Sequence, residues 1–154
     1  MYDDGEMVIL YKDSGEKAVN IDIHTGSRLS IHATAIGKAI LSQMSDETVE
    51  EILREIDLDS LTENTINSED ELREELAEIR RTGIAFDREE RVHGLNCVAV
   101  PIRKGDDVVG TISVSGPTSR LKGEYFEEEL PRLLHDTANV IELNFRYKDS
   151  AMNV

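Results

Sequence analysis

The chain has 154 residues, 39% of them hydrophobic, and carries 32 acidic against 17 basic residues for a net charge of -15. That length points to one domain, residues 1–154, able to bury roughly 70% of its unfolded surface without a disulfide or a metal. Acid spread along the whole sequence disfavours direct nucleic-acid binding, no apolar run reaches membrane-spanning length, and a single Cys97 excludes an internal disulfide and suits a reducing cytoplasm.

In chain order, Met7–Lys12 (MVILYK) is rich in strand formers, and Ser14-Gly15 signals a turn. Ala18–Ile23 alternates apolar and polar residues, so these two runs predict an antiparallel hairpin. Thr25–Arg28 reads as a loop. The segment SIHATAIGKAIL (30–41) then places His32, a run of small residues and Gly37 ahead of a short helix over Ala35–Met44. Ser45 offers an N-cap for a second helix over Asp46–Ile56, with acids in its first turn. Ser68 and Glu71 form a capping-box pair that opens a third helix to about Arg81, closed by Gly83.

Strands return at Ile84–Asp87 and at Leu95–Arg103 (LNCVAVPIR). The latter is joined through Lys104-Gly105-Asp106-Asp107 to Val108–Ser115 (VVGTISVS), with Gly116-Pro117 as the break. A long helix from about Gly123 to Tyr147 turns Leu130, Leu133, Leu134, Ala138, Ile141 and Phe145 inward. With no repeat and no linker, the pattern predicts an α+β domain with most strands in one antiparallel sheet and helices packed on it.

Alternation gives the best hairpin two unlike faces. Val98, Val100, Ile102, Ile112 and Val114 share a bulky side, whereas Cys97, Ala99, Thr111, Ser113 and Ser115 share a small or polar one. The small face lacks the long charged residues that coat the rest of the chain, which suggests a covered face beside a cavity. The first turn of the helix at Thr34–Gly37 adds unpaired N–H groups and the positive end of a helix dipole, a combination suited to a carboxylate. Small residues at a helix start serve close packing equally well.

The blocks HATAIGKAIL (32–41), RRTGIAFDREERVHGLNCVAVPI (80–102) and GTISVSGPTSR (110–120) resemble three signature segments of the isocitrate lyase regulator (IclR) family, in order and spacing. The resemblance implies the effector-binding domain of a transcriptional regulator, with a GAF-like fold: a curved antiparallel sheet of about five to six strands flanked by helices. It implies a small effector, an organic or aromatic acid, held by the backbone of Ala35, Ile36 and Gly37 and by Asp87, Cys97, Ser113 and Ser115. Asp87 enters the set through the resemblance alone. It also implies a winged helix-turn-helix ahead of this domain, so DNA binding is assigned to a segment missing from the chain, and a homodimer or homotetramer is expected.

The residues also admit two other chemistries. Cys97 with His32 or His93 and Asp87 could form a thiol enzyme, or His32, Asp87 and Cys97 could gather a metal ion, although no short-range ligand spacing supports one. The expectation is a sensor with no catalytic residue, metal or cofactor. The even carboxylate coat also suits a protein kept soluble at high salt.

Overall fold

The computed structural model describes residues 1–15 and 22–152. Strand β1 (Tyr2–Asp3) turns through Asp4 and Gly5, both at positive φ, into β2 (Glu6–Val8), and β3 (Arg28–Ser30) pairs antiparallel with the other edge of β2. The partner of β2 is therefore Arg28–Ser30, a stretch expected to begin in a loop. Of the anticipated partner Ala18–Ile23, residues 18–21 lie outside the described residues, and Asp22 and Ile23 are not in a strand. Pairing continues briefly beyond β2, as the Ile9 N–H donates to Ser27 O at 3.0 Å and the Gly26 N–H to Ile9 O at 2.7 Å. Leu10 and Tyr11 then stand exposed, so the expected strand stops short.

Helix α1 (Ala35–Leu41) is capped by Thr34, α2 (Asp46–Glu55) by Ser45 and α3 (Glu69–Thr82) by Ser68. Gly83 closes α3 in the left-handed region at φ 73, where a side chain would be strained. Strands β4 (Ala85–Arg88), β5 (Leu95–Lys104) and β6 (Asp107–Pro117) form a second antiparallel sheet in the order β4-β5-β6. The described strands thus number six, but their hydrogen bonds divide them into two three-stranded sheets. β6 does not break at Gly116. Pro117 is the last pair, opposite Leu95, on an edge strand where a missing N–H costs little. A bulge between Ile102 and Arg103 leaves Val109 without a partner and exposed.

The second sheet separates two cores. Val98 and Val100 pack with Phe126, Leu130, Leu134 and Ala138 of the last helix, which enters as a π-helical turn (Tyr125–Glu129) and continues as α4 (Leu130–Met152). Phe86 meets Phe126 edge-to-face at 5.1 Å between centroids. On the other side Ala85, Cys97 and Ala99 join Ala35, Ile36, Ala39 and Ile40 of α1, with α2, α3, Met7 and Leu29 beyond. Leu133, expected inward, is 50% exposed. The buried stripe runs Phe126, Leu130, Leu134, Ala138 at four-residue steps, and Leu133 lies about 100° around the helix from it.

Candidate functional site

Strand register assembles the candidate residues into rows. Asp87 pairs with Cys97, and Cys97 with Ser115, so one row crosses all three strands. Two residues along the strands, Ala85, Ala99 and Ser113 form the next row on the same face. Strand spacing sets Asp87 about 10 Å from Ser115 across the row. Helix α1 lies over this face, in contact with β4, β5 and β6. Ala85, Cys97 and Ala99 are therefore covered by protein, whereas Ser113 and Ser115 on the edge strand are exposed.

The run of small residues in α1 has a local cause. A Cβ on Gly37 would stand 2.0 Å from the carbonyl oxygen of Ile31, so the chain's own backbone occupies the space a side chain would need. Thr34 organises the turn: its Oγ1 donates to Ser30 O at 2.8 Å and accepts from the Gly37 N–H at 3.2 Å. The amide of Gly37 is thus engaged within the turn. Those of Ala35 and Ile36, in the first turn, have no partner inside the helix.

Asp87 is 3% exposed. Its Oδ1 accepts from the N–H of Glu90 at 2.8 Å and of Arg91 at 3.4 Å, which fixes the connection from β4 to β5. Burial raises its pKa to about 6, against the opposing pull of the Glu90 amide. A carboxyl in this state is partly protonated near neutrality and can face an anion with reduced repulsion. Cys97 is buried, and the loss of solvation pushes its thiol up to about 12, while hydrogen bonds from Ser115 and Ser113 act the other way. The thiol therefore stays protonated, opposite to what a nucleophile requires. Ser113 and Ser115 are exposed as residues although their hydroxyls reach the sulfur. The face is consequently open along β6 and closed toward β4.

A buried charge cluster beside this row was not anticipated from sequence. Lys38 of α1 is fully buried, and its ammonium donates to Glu90 Oε1 at 2.7 Å, Glu90 Oε2 at 2.8 Å and Glu75 Oε1 at 3.1 Å. Burial pushes the Glu90 carboxyl up while Lys38 draws it down. The available signal was a lysine inside a helix whose other residues are apolar or small. Such a helix is buried all round, and its charge must find a buried partner.

His32 does not join Asp87 and Cys97. It is buried beside Ser30 Oγ (3.4 Å) and the carbonyl of Asp59 (3.1 Å), while His93 sits 3.1 Å from Glu63 at the surface. Among the described residues no three His, Cys, Asp or Glu side chains gather as metal ligands. The described residues form a cavity of about 170 Å³ beside His32, lined also by Gly5, Ile56 and Asp57. A cleft of about 730 Å³ lies beside Asn64, Glu89, Asn96 and Glu127. Neither is lined by Asp87, Cys97, Ser113, Ser115 or the first turn of α1.

A family model described as "Bacterial transcriptional regulator IclR C-terminal" matches residues 1–143. The "Probable HTH-type transcriptional regulator ArcR" of Halobacterium salinarum is 36% identical over 144 residues, covering 91% of this chain and 55% of that protein. The crystal structure of the Thermotoga maritima IclR superposes with a TM-score of 0.87 at 32% identity, over 94% of this chain and 58% of that one. A double mutant of the PobR inducer-binding domain from Acinetobacter, in complex with 3-hydroxybenzoic acid, superposes with a TM-score of 0.84 at 27% identity, over 92% of this chain and 83% of that one. The chain spans about half the length of the curated relatives it matches.

Proposed function

Since the chain belongs to the IclR family of bacterial transcriptional regulators, as their C-terminal effector-binding domain, we propose that it senses a small organic acid and catalyses no reaction. The observation that carries this reading is the row Asp87–Cys97–Ser115 on the sheet face that α1 contacts, where a partly protonated carboxyl, a neutral thiol and a hydroxyl share one face. The effector's carboxylate would take the amides of Ala35 and Ile36 at the positive end of α1. Its far end would meet Asp87, Cys97, Ser113 and Ser115. A hydroxyl there, as on the 3-hydroxybenzoic acid bound by the PobR relative, would find both donors and acceptors. Entry would be from the β6 side, where the serines are exposed. Binding would draw that strand and the first turn of α1 around the guest, and the closed form would be the one read by the rest of the regulator.

DNA contact is assigned to another domain, in keeping with a net charge of -15, and the site of action to the cytoplasm. Self-association would use α4, whose Leu133, Val140, Leu143 and Tyr147 are exposed at mostly seven-residue spacing. Light scattering tests this, with Val140→Glu expected to lower the mass. The acidic coat would make the fold salt-requiring.

A thermal-shift panel tests the sensor reading. Hydroxybenzoates and small keto and hydroxy acids are compared with their neutral amides. At a hundredfold excess over Kd a ligand of the folded state adds about 2.7 kcal/mol, or roughly 5–10 °C for a domain of this size. One or more acids should reach that range while the amides do not. A panel in which no acid stabilises the protein, or acid and amide act alike, overturns the reading.

A further inference from the structure

We propose that the Lys38–Glu90 ion pair is the positioning element of the effector site, holding Asp87 in place and setting the charge that Asp87 presents to a bound anion. The proposal deepens the effector-site reading above and rests on it.

The geometry links the pair to Asp87 directly. Both Glu90 oxygens sit on the Lys38 ammonium, at 2.7 Å and 2.8 Å, and the Glu90 backbone N–H donates to Asp87 Oδ1 at 2.8 Å. The Glu90 carbonyl is held in turn by the hydroxyls of Thr62 at 3.2 Å and Thr65 at 2.5 Å. Glu90 cannot shift without displacing Asp87. Stability alone does not explain such a pair, because well-packed apolar residues of equal volume commonly do as well.

Charge balance supplies the second half of the argument. The ionisable groups facing Asp87 are Lys38 from α1, Glu90 from the β4–β5 connection and Cys97 from β5, with Glu75 of α3 reaching it through Lys38, while Arg91 contributes only its backbone N–H. Ser115 of β6 adds a hydroxyl without charge. While Glu90 neutralises Lys38, little net charge acts on Asp87, and burial holds its midpoint well above that of an ordinary carboxyl. Glu90→Gln retains the N–H and the shape but leaves Lys38 balanced by Glu75 alone, so that more of its charge acts on Asp87, which then ionises more readily. Lys38→Met removes that charge and leaves Glu90 unpaired in a buried site, where it takes up a proton. The two ends of one ion pair thus act on Asp87 unequally: loss of the acid lowers its midpoint, and loss of the base does not.

The test is a carbon-13 NMR titration of aspartate carboxyls in the ligand-free protein, with the Asp87 signal assigned through Asp87→Asn. Glu90→Gln should lower the Asp87 midpoint by about one pH unit or more. Lys38→Met should leave it level or raise it, and the double variant should return close to the parent. An unchanged midpoint in folded Glu90→Gln, or parallel shifts in the two single variants, overturns the proposal. If Lys38→Met does not fold, Glu90→Gln decides the matter, with charge-preserving Lys38→Arg expected to match the parent. No ligand is present, so failure here is separate from failure of the acid panel.

Discussion

Replacing Asp87 by asparagine should stabilise the protein at mildly alkaline pH and do progressively less as the pH falls. The Asp87 carboxyl has a pKa near 6 in the folded chain against an ordinary 3.8. Folding therefore favours its protonated form. Its contribution is fully present below about pH 3.8, where both states hold the proton, and is lost as pH rises through about 6. Above that, burying the charge costs up to about 3 kcal/mol. Asparagine keeps an oxygen for the N–H groups of Glu90 and Arg91, so the β4–β5 connection stays capped. Its amide N–H₂ needs a partner, which makes 3 kcal/mol an upper bound. Urea melts of both proteins at intervals between about pH 5 and pH 8.5 give the comparison. The variant's advantage should grow with pH and flatten above about 7.5. A variant less stable than the parent by a pH-independent amount would refute the reasoning, since Asp87 would then be a carboxylate that the fold needs charged.

Gly37→Ala should cost about 3 kcal/mol or more in a denaturant melt, because the new methyl meets the Ile31 carbonyl rather than a flexible side chain; a near-neutral result would mean that α1 can lift from the strand end. Cys97 should resist thiol reagents at pH 8 in the folded protein and react promptly in urea, given a buried thiol pushed up to about 12. Rapid modification of the native state would return the thiol-enzyme reading to consideration. Molar potassium chloride should raise the melting temperature, through screening of a net charge of -15; a flat salt profile would remove the high-salt reading.

Local signals carried much of the fold into the sequence. Ser45 and Ser68 cap the helices they were expected to cap, and Gly83 ends α3 in the left-handed region. The two faces of the β5–β6 hairpin separate as alternation implies: on β5 Cys97 and Ala99 join one core and Val98 and Val100 the other, while on β6 the serines stand exposed. The first hairpin misled because Met7–Lys12 has strand composition without neighbours to pair with: past Ile9 the chain is exposed, and β2 instead pairs with a later segment. Leu133 was assigned inward by a stripe too wide for a helix that packs on one sheet alone. At the site, the small faces that carry Cys97 and Ser115 could be read from alternation, while their direct opposition depends on the bulge between Ile102 and Arg103. The closeness of Ile31 to Gly37 could not, since it depends on how the chain turns between Ser30 and Thr34. Lys38 and Glu90 were passed over because charged residues are ordinarily solvated, and 52 positions separate them.

The most direct measurement is an amide chemical-shift map of the nitrogen-15-labelled protein, titrated with the acid that stabilises it most in the thermal panel. The largest changes should fall on Ala35, Ile36, Cys97 and Ser115, with Gly37 moving less because its N–H is held by Thr34. Changes centred instead on the cavity beside His32, Ile56 and Asp57 would place the effector elsewhere and contradict the account.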